Sequence, residues 1–271
     1  MSYRGFSPDE LEREYSPSSM IGGDYSRYLK KYVSLSDDAR RVLGARTDLR
    51  YGAKPSQVLD YFPGPGPGAP LHVFIHGGYW QALSQTESSA MAPAIVASGA
   101  AFASLNYTLA PAAHLGEMVA ECRAALAWLA ADAAGLGFDP THVTVSGHSA
   151  GAHLAAMVAA EPGHLTTESG LTFDRFILIS GIYDLTPIRM TAINEPLGLS
   201  EDDVEALSPM GKTPAVDAVM KVVVGERDTR EFIRQSRDYA TFLIGKGFET
   251  TFEIAKDRHH FDIILDPATF R

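Results

Sequence analysis

The chain has 271 residues, with 33 Asp plus Glu against 23 Lys plus Arg for a formal charge of −10, 45% hydrophobic residues and one cysteine, Cys122. That balance of apolar and charged residues excludes a largely disordered chain, and a lone cysteine excludes an intrachain disulfide framework and a Cys-based zinc site. An acidic chain with no Lys/Arg run also lacks the clustered positive charge that nucleic acids and anionic membranes require.

Residues 1–50 are polar and rich in Tyr, Arg and Ser, with helical stretches expected at 7–15 and 24–45. They read as an N-terminal arm packed on a later core. Residues 57–62 (QVLDYF) suit a strand, and the Pro-Gly run at 63–70 that follows is expected to form an exposed hairpin loop. Strand-length apolar runs then recur at 71–75, 101–105, 142–145, 176–179, 220–224 and 250–254. Helical segments are expected at 86–98, 113–133, 150–161, 229–245 and 261–270. Flat Val/Ile-rich strands alternating with helices indicate a mostly parallel sheet covered on both faces, hence one α/β domain. Residues 184–218 carry several Pro and Gly and no clear strand, and read as a small cap or lid insertion. No run of about 18 uninterrupted apolar residues occurs and the first residues are polar. A soluble, cytoplasmic protein with no membrane partner is therefore expected.

The densest chemical signal is Gly147-His148-Ser149-Ala150-Gly151, directly after an apolar strand and directly before an Ala-rich helix. A serine on such a sharp strand-to-helix turn has its hydroxyl lifted above the sheet at a helix N-terminus, and small neighbours two positions away avoid collision. Ser149 is thus the candidate nucleophile. Its hydroxyl needs a base, and in this arrangement acid and histidine follow the serine along the chain. Asp228, in the turn after strand 220–224, is the best-placed acid, with Asp184 as runner-up; Asp217, Asp238 and Asp257 suit surface roles. Among the later histidines, His153 lies on the nucleophile helix and His164 in a loop, which leaves His259 and His260 after the final strand. Spacing alone does not choose between those two.

A second glycine motif, His76-Gly77-Gly78-Tyr79-Trp80, ends the strand at 71–75. Acyl transfer passes through an oxyanion that needs preorganised N–H donors, and a glycine pair lets the chain turn them inward. Gly78, Tyr79 and Ala150 are the expected donors, and His76 a structural hydrogen bonder. Tyr79, Trp80 and Tyr183 are candidates to line a pocket, although Trp80 equally suits core packing. No H-E-x-x-H motif accompanies His76, His148 and His153, so no metal or other cofactor is expected. Cys122, in an apolar helical stretch, reads as a small buried hydrophobe.

The stretch His76–Trp80 resembles the H-G-G-x-W signature of the kynurenine formamidases (arylformamidases), α/β-hydrolases near the hormone-sensitive-lipase esterases. Tyr107-Thr108-Leu109-Ala110-Pro111, Ser180-Gly181-Ile182-Tyr183-Asp184-Leu185, Gly225-Glu226-Arg227-Asp228 and His260-Phe261-Asp262 are similar to the same group. The resemblance implies the α/β-hydrolase fold and a triad of Ser149, Asp228 and His260, choosing the histidine that directly precedes Phe261. It further implies hydrolysis of an aryl formamide such as N-formyl-L-kynurenine, with a homodimer as one possible assembly. A broad carboxylesterase for short acyl esters is the alternative within the same chemistry. A non-catalytic α/β-hydrolase-fold binding protein is the alternative outside it.

Overall fold

The computed structural model describes residues 3–161, 163–165 and 170–271. Among the described residues, eight strands form one sheet: β1 (Arg46–Arg50), β2 (Val58–Phe62), β3 (Ala69–Ile75), β4 (Ala101–Leu105), β5 (Phe138–His148), β6 (Phe173–Ile179), β7 (Val219–Gly225) and β8 (Thr250–Ala255). Their order across the sheet is β1-β2-β4-β3-β5-β6-β7-β8. The β1–β2 and β2–β4 pairs are antiparallel and the other pairs parallel. Because β4 lies between β2 and β3, residues 63–68 do not close a hairpin between paired strands, contrary to the sequence expectation. They carry the chain over β4 instead. Strand β1 (RTDLR) was not anticipated: it is a polar edge strand with mostly exposed residues, so no apolar alternation marks it.

The arm contributes α1 (Pro8–Glu14) and α2 (Ser26–Leu43). Helix α1 starts where Ser7 and Glu10 form a reciprocal capping box with proline at the first turn. The remaining helices are α3 (Ala92–Ala97), α4 (Leu115–Ala131), α5 (Ala133–Leu136), α6 (Ala150–Ala160), α7 (Thr186–Arg189), α8 (Asn194–Leu197), α9 (Glu201–Leu207) and α10 (Arg230–Gly245). The helix expected at 86–98 shortens to α3 after a separate 3-10 turn at Gln85–Glu87. The expected terminal helix is two 3-10 turns, Ile263–Leu265 and Pro267–Phe270, because Pro267 lacks the N–H that a continuous helix would use.

The sheet separates two apolar layers. On β3, Leu71, Val73 and Ile75 face the larger layer with α4, α6 and α10, while Phe74 faces the layer under α2 and α3. Helix α6 is buried along its whole length, which its sequence of Ala, Leu, Met and Val permits. Cys122 is among the α4 residues in the larger layer. Among the described residues no helix is long and apolar enough to cross a membrane.

Candidate active site

Four loops at the carboxyl ends of β3, β5, β7 and β8 meet above the sheet, the edge where α/β sheets assemble their reactive groups. Strand β5 ends at His148, and Ser149 turns the chain into α6 with φ 56° and ψ −120°. A side-chain-bearing residue is seldom held there, and such strain persists only where the surroundings enforce it. They do. A Cβ on Gly151 would lie 2.1 Å from the Ile75 carbonyl oxygen, and one on Gly147 would lie 2.1 Å from that of Gly151. The G-x-S-x-G spacing thus records close approach of the β3 end, the β5 end and the first turn of α6. Ser149 N–H also donates to Ile179 O at 2.8 Å, which ties the elbow to β6.

Asp228 sits in the turn after β7, its N–H bonded to Gly225 O at 3.1 Å, and only 3% exposed. Its Oδ1 and Oδ2 lie 3.1 and 3.2 Å from His260 Nδ1. A ring nitrogen facing a carboxylate is the donor, so the neutral imidazole keeps Nε2 bare as a proton acceptor. The His260 ring is wedged between Phe232 on α10, at 4.7 Å between centroids, and His148, at 4.6 Å. Ser149 and His260 line one cavity of about 410 Å³. Burial holds the His148 imidazole well below its ordinary pKa, and His260 beside it adds to the effect, so His148 is neutral. Asp184 is engaged elsewhere: it accepts from Tyr3 Oη at 3.0 Å and from Thr186 N at 2.9 Å. His259 bonds Tyr28 rather than either triad carboxylate candidate.

After β3 the chain makes a tight loop. Gly78 has φ 95°, and a Cβ there would lie 2.2 Å from Ala82 O; Tyr79 and Trp80 follow with φ 51° and 59°. Gln81 and Ala82 N–H groups both donate to Gly78 O at 3.0 Å, closing the turn. His76 fastens its base: Nδ1 donates to Gly77 O at 2.8 Å, and the ring stacks on Tyr107 at 4.4 Å. Gly78 and Tyr79 line the cavity beside Ser149. Ala150 is buried at the start of α6, directly after Ser149.

Of the three aromatic pocket candidates, only Tyr79 reaches the cavity, and its hydroxyl donates to Tyr15 O. Trp80 and Tyr183 are fully buried in the core, a correction to their reading as pocket residues. Trp80 stands edge-on to His153 at 5.1 Å and to Tyr79 at 6.2 Å, and Tyr183 stacks on Tyr239 at 4.2 Å. His153 faces away from the cavity and donates from Nε2 to Leu207 O at 2.7 Å. The side chain of His164 lies outside those described.

The cavity roof is also not where the sequence suggested. Only Ile193 of residues 184–218 lines it, whereas the arm supplies Glu12, Tyr15–Ser18, Tyr25, Leu29 and Tyr32. Ile188, Leu197 and Leu199 are buried in the larger apolar layer, so the insertion mainly covers the sheet and α6. A signal for the arm's role was present in the spacing of Tyr25, Leu29 and Tyr32, which puts three large side chains on one helical stripe. Phe261, beside His260, completes the aromatic wall.

Residues 61–243 match the BD-FAE family. Kynurenine formamidase of Danio rerio is 34% identical over 97% of this chain and 92% of its own length. A solved structure of a candidate thioesterase from Silicibacter sp. superposes with a TM-score of 0.84 at 29% identity, covering 96% of this chain and 95% of that one. Esterase B of Lactobacillus rhamnosis shares the fold, with a TM-score of 0.71 at 21% identity over 91% of this chain and 92% of that one.

Proposed function

Since the chain belongs to the BD-FAE family and to the kynurenine formamidase-like α/β-hydrolases, we propose that this hydrolase removes the formyl group of N-formyl-L-kynurenine or a closely related aryl formamide with a Ser149–His260–Asp228 triad. The observation that carries the reading is the bonding of His260 Nδ1 to both Asp228 oxygens while His260 and Ser149 share a cavity wall.

Ser149 Oγ attacks the formyl carbon as His260 Nε2 takes its proton. Asp228 keeps the Nδ1–H tautomer and stabilises the imidazolium that forms. The N–H groups of Gly78, Tyr79 and Ala150 receive the oxyanion, where losing one donor typically lowers turnover by ~10²–10³. The imidazolium then protonates the departing aryl amine, leaving a formyl-serine. A water attacks this ester with His260 again as base, formate departs and the serine is restored. Tyr25, Tyr32 and Phe261 form a flat wall suited to the aryl ring of the leaving group.

Turnover of N-formyl-L-kynurenine compared with p-nitrophenyl acetate and butyrate tests the substrate. Preference for the formamide is expected; fast ester turnover with no formamide turnover would instead establish a short-chain carboxylesterase. Ser149→Ala should remove all turnover and all labelling by a fluorophosphonate while leaving the fold intact. Retained turnover would overturn the mechanism, and wild-type protein inert to both substrates and label would favour a non-catalytic binding role.

A further inference from the structure

Next to the base stands a second histidine whose hydrogen bonds lead away from the chemistry. The turn after β8 runs His259-His260-Phe261-Asp262 and is closed on itself: His259 N donates to Asp262 Oδ1 at 2.8 Å, and the N–H groups of Asp262 and Ile263 both donate to His259 O at 3.2 Å. Phe261 N donates to His259 Nδ1 at 3.1 Å. A backbone amide only donates, so Nδ1 is the bare nitrogen of a neutral ring and the ring proton sits on Nε2. That nitrogen lies 2.7 Å from Tyr28 Oη on α2, and 3.2 Å from Asp262 Oδ2. The Tyr28 ring meets the His259 ring edge-on at 4.8 Å and stacks on Phe261 at 5.8 Å, while Tyr32 Oη donates to Phe261 O.

Both residues that flank His260 in the chain are therefore held by one helix of the arm. We propose that His259 and Tyr28 act as a positioning pair for His260: the Nε2–H···Oη bond pins the turn so that His260 Nδ1 stays against Asp228 while Nε2 faces the cavity. The inference rests on the reading of His260 as the base. A turn without this latch can shift while the protein stays folded, since His260 is then held by its ring contacts, by Asp228 and by the turn's own backbone bonds. Misplacement of a reacting group by a fraction of an ångström to 1 Å lowers turnover by up to about 10²-fold, so the effect belongs in kcat rather than in substrate binding.

Three substitutions separate positioning from folding. Tyr28→Phe keeps the ring on Phe261 and removes only Oη. His259→Asn keeps an acceptor at the place of Nδ1 for Phe261 N–H but cannot reach Tyr28, whereas His259→Gln places a donor near the Nε2 position. Steady-state kinetics on the better of the two substrate classes should show kcat lowered about tenfold in Tyr28→Phe and in His259→Asn, with KM within about twofold. The double variant should be no slower than either single one, because both remove the same bond. His259→Gln should recover part of kcat. Wild-type kcat in both single variants, multiplicative losses in the double, or a change confined to KM would overturn the proposal. Turnover surviving in Ser149→Ala would overturn the underlying triad reading instead, so the two failures are told apart.

Discussion

Several residues around Ser149 hold backbone conformations that only the local packing sustains. Gly78 combines φ 95° with 2.2 Å between a hypothetical Cβ and Ala82 O, so Gly78→Ala must open the loop that presents two of the proposed oxyanion donors. Turnover should fall by ~10²–10³, as for loss of one donor. Stability should fall by about 1–3 kcal/mol, as for overpacking, and kinetics together with urea unfolding measure both. Tyr183 presents the opposite case. Its hydroxyl is buried without a hydrogen bond of normal geometry and its ring stacks on Tyr239, away from the cavity. Tyr183→Phe should leave KM unchanged and move stability by less than about 1 kcal/mol, since no bonded partner is orphaned; a raised KM would return Tyr183 to the substrate pocket. The glycine motifs were legible in the sequence because backbone crowding leaves a mark that side chains cannot disguise. Which way Trp80 and Tyr183 point was not legible. A large aromatic suits a pocket wall and a core equally, and only the tertiary partners, His153 for Trp80 and Tyr239 for Tyr183, show the side each takes.

Long helices stood out from sequence alone, α2 and α10 by their amphipathic periodicity and α4 and α6 by their Ala-rich apolar runs, and all four lie within a few residues of expectation. The elements that escaped were those whose form depends on what they touch. Strand β1 is polar and exists because β2 offers it an edge, and the arm's apolar stripe looked too thin for a core because it covers a cavity. Assigning the roof to the arm rather than to residues 184–218 has a direct consequence for selectivity. Leu29→Trp on α2 should narrow the cavity, raising KM for N-formyl-L-kynurenine several-fold while p-nitrophenyl acetate, whose leaving group lacks the amino-acid side chain, is less affected. Met190→Ala in the insertion should change neither KM, because Met190 is 36% exposed and does not line the cavity. Stability there should stay within about 0.5 kcal/mol, as for ordinary surface substitutions. The reverse pattern of KM values would move the specificity element back to the insertion.

At the scale of the whole molecule, the fold keeps neutral histidines in places where a proton would be costly. Burial pulls the pKa of His72 down to about 3, aided by the nearby Arg175 charge, and that of His153 down to about 4. In the unfolded chain both rings titrate near the usual 6.5. Above that pH neither state binds these protons and the histidines add no pH dependence. As the pH falls below 6.5, the unfolded chain takes up protons that the folded one refuses, so stability declines by about 1.4 kcal/mol per pH unit for each fully shifted ring. The decline continues until the folded pKa values are reached, and His148, shifted in the same direction, adds to it. His153→Gln tests one share of this slope. Its amide can still donate to Leu207 O, the partner that His153 Nε2 uses at 2.7 Å, but it carries no titratable proton. Urea unfolding at pH 7.0, 6.0 and 5.5 should find the variant less stable than wild type at neutral pH, with the gap closing as the pH falls. Parallel pH slopes for the two proteins would show that His153 is charged in the fold, or that its neutral state is not what limits acid stability.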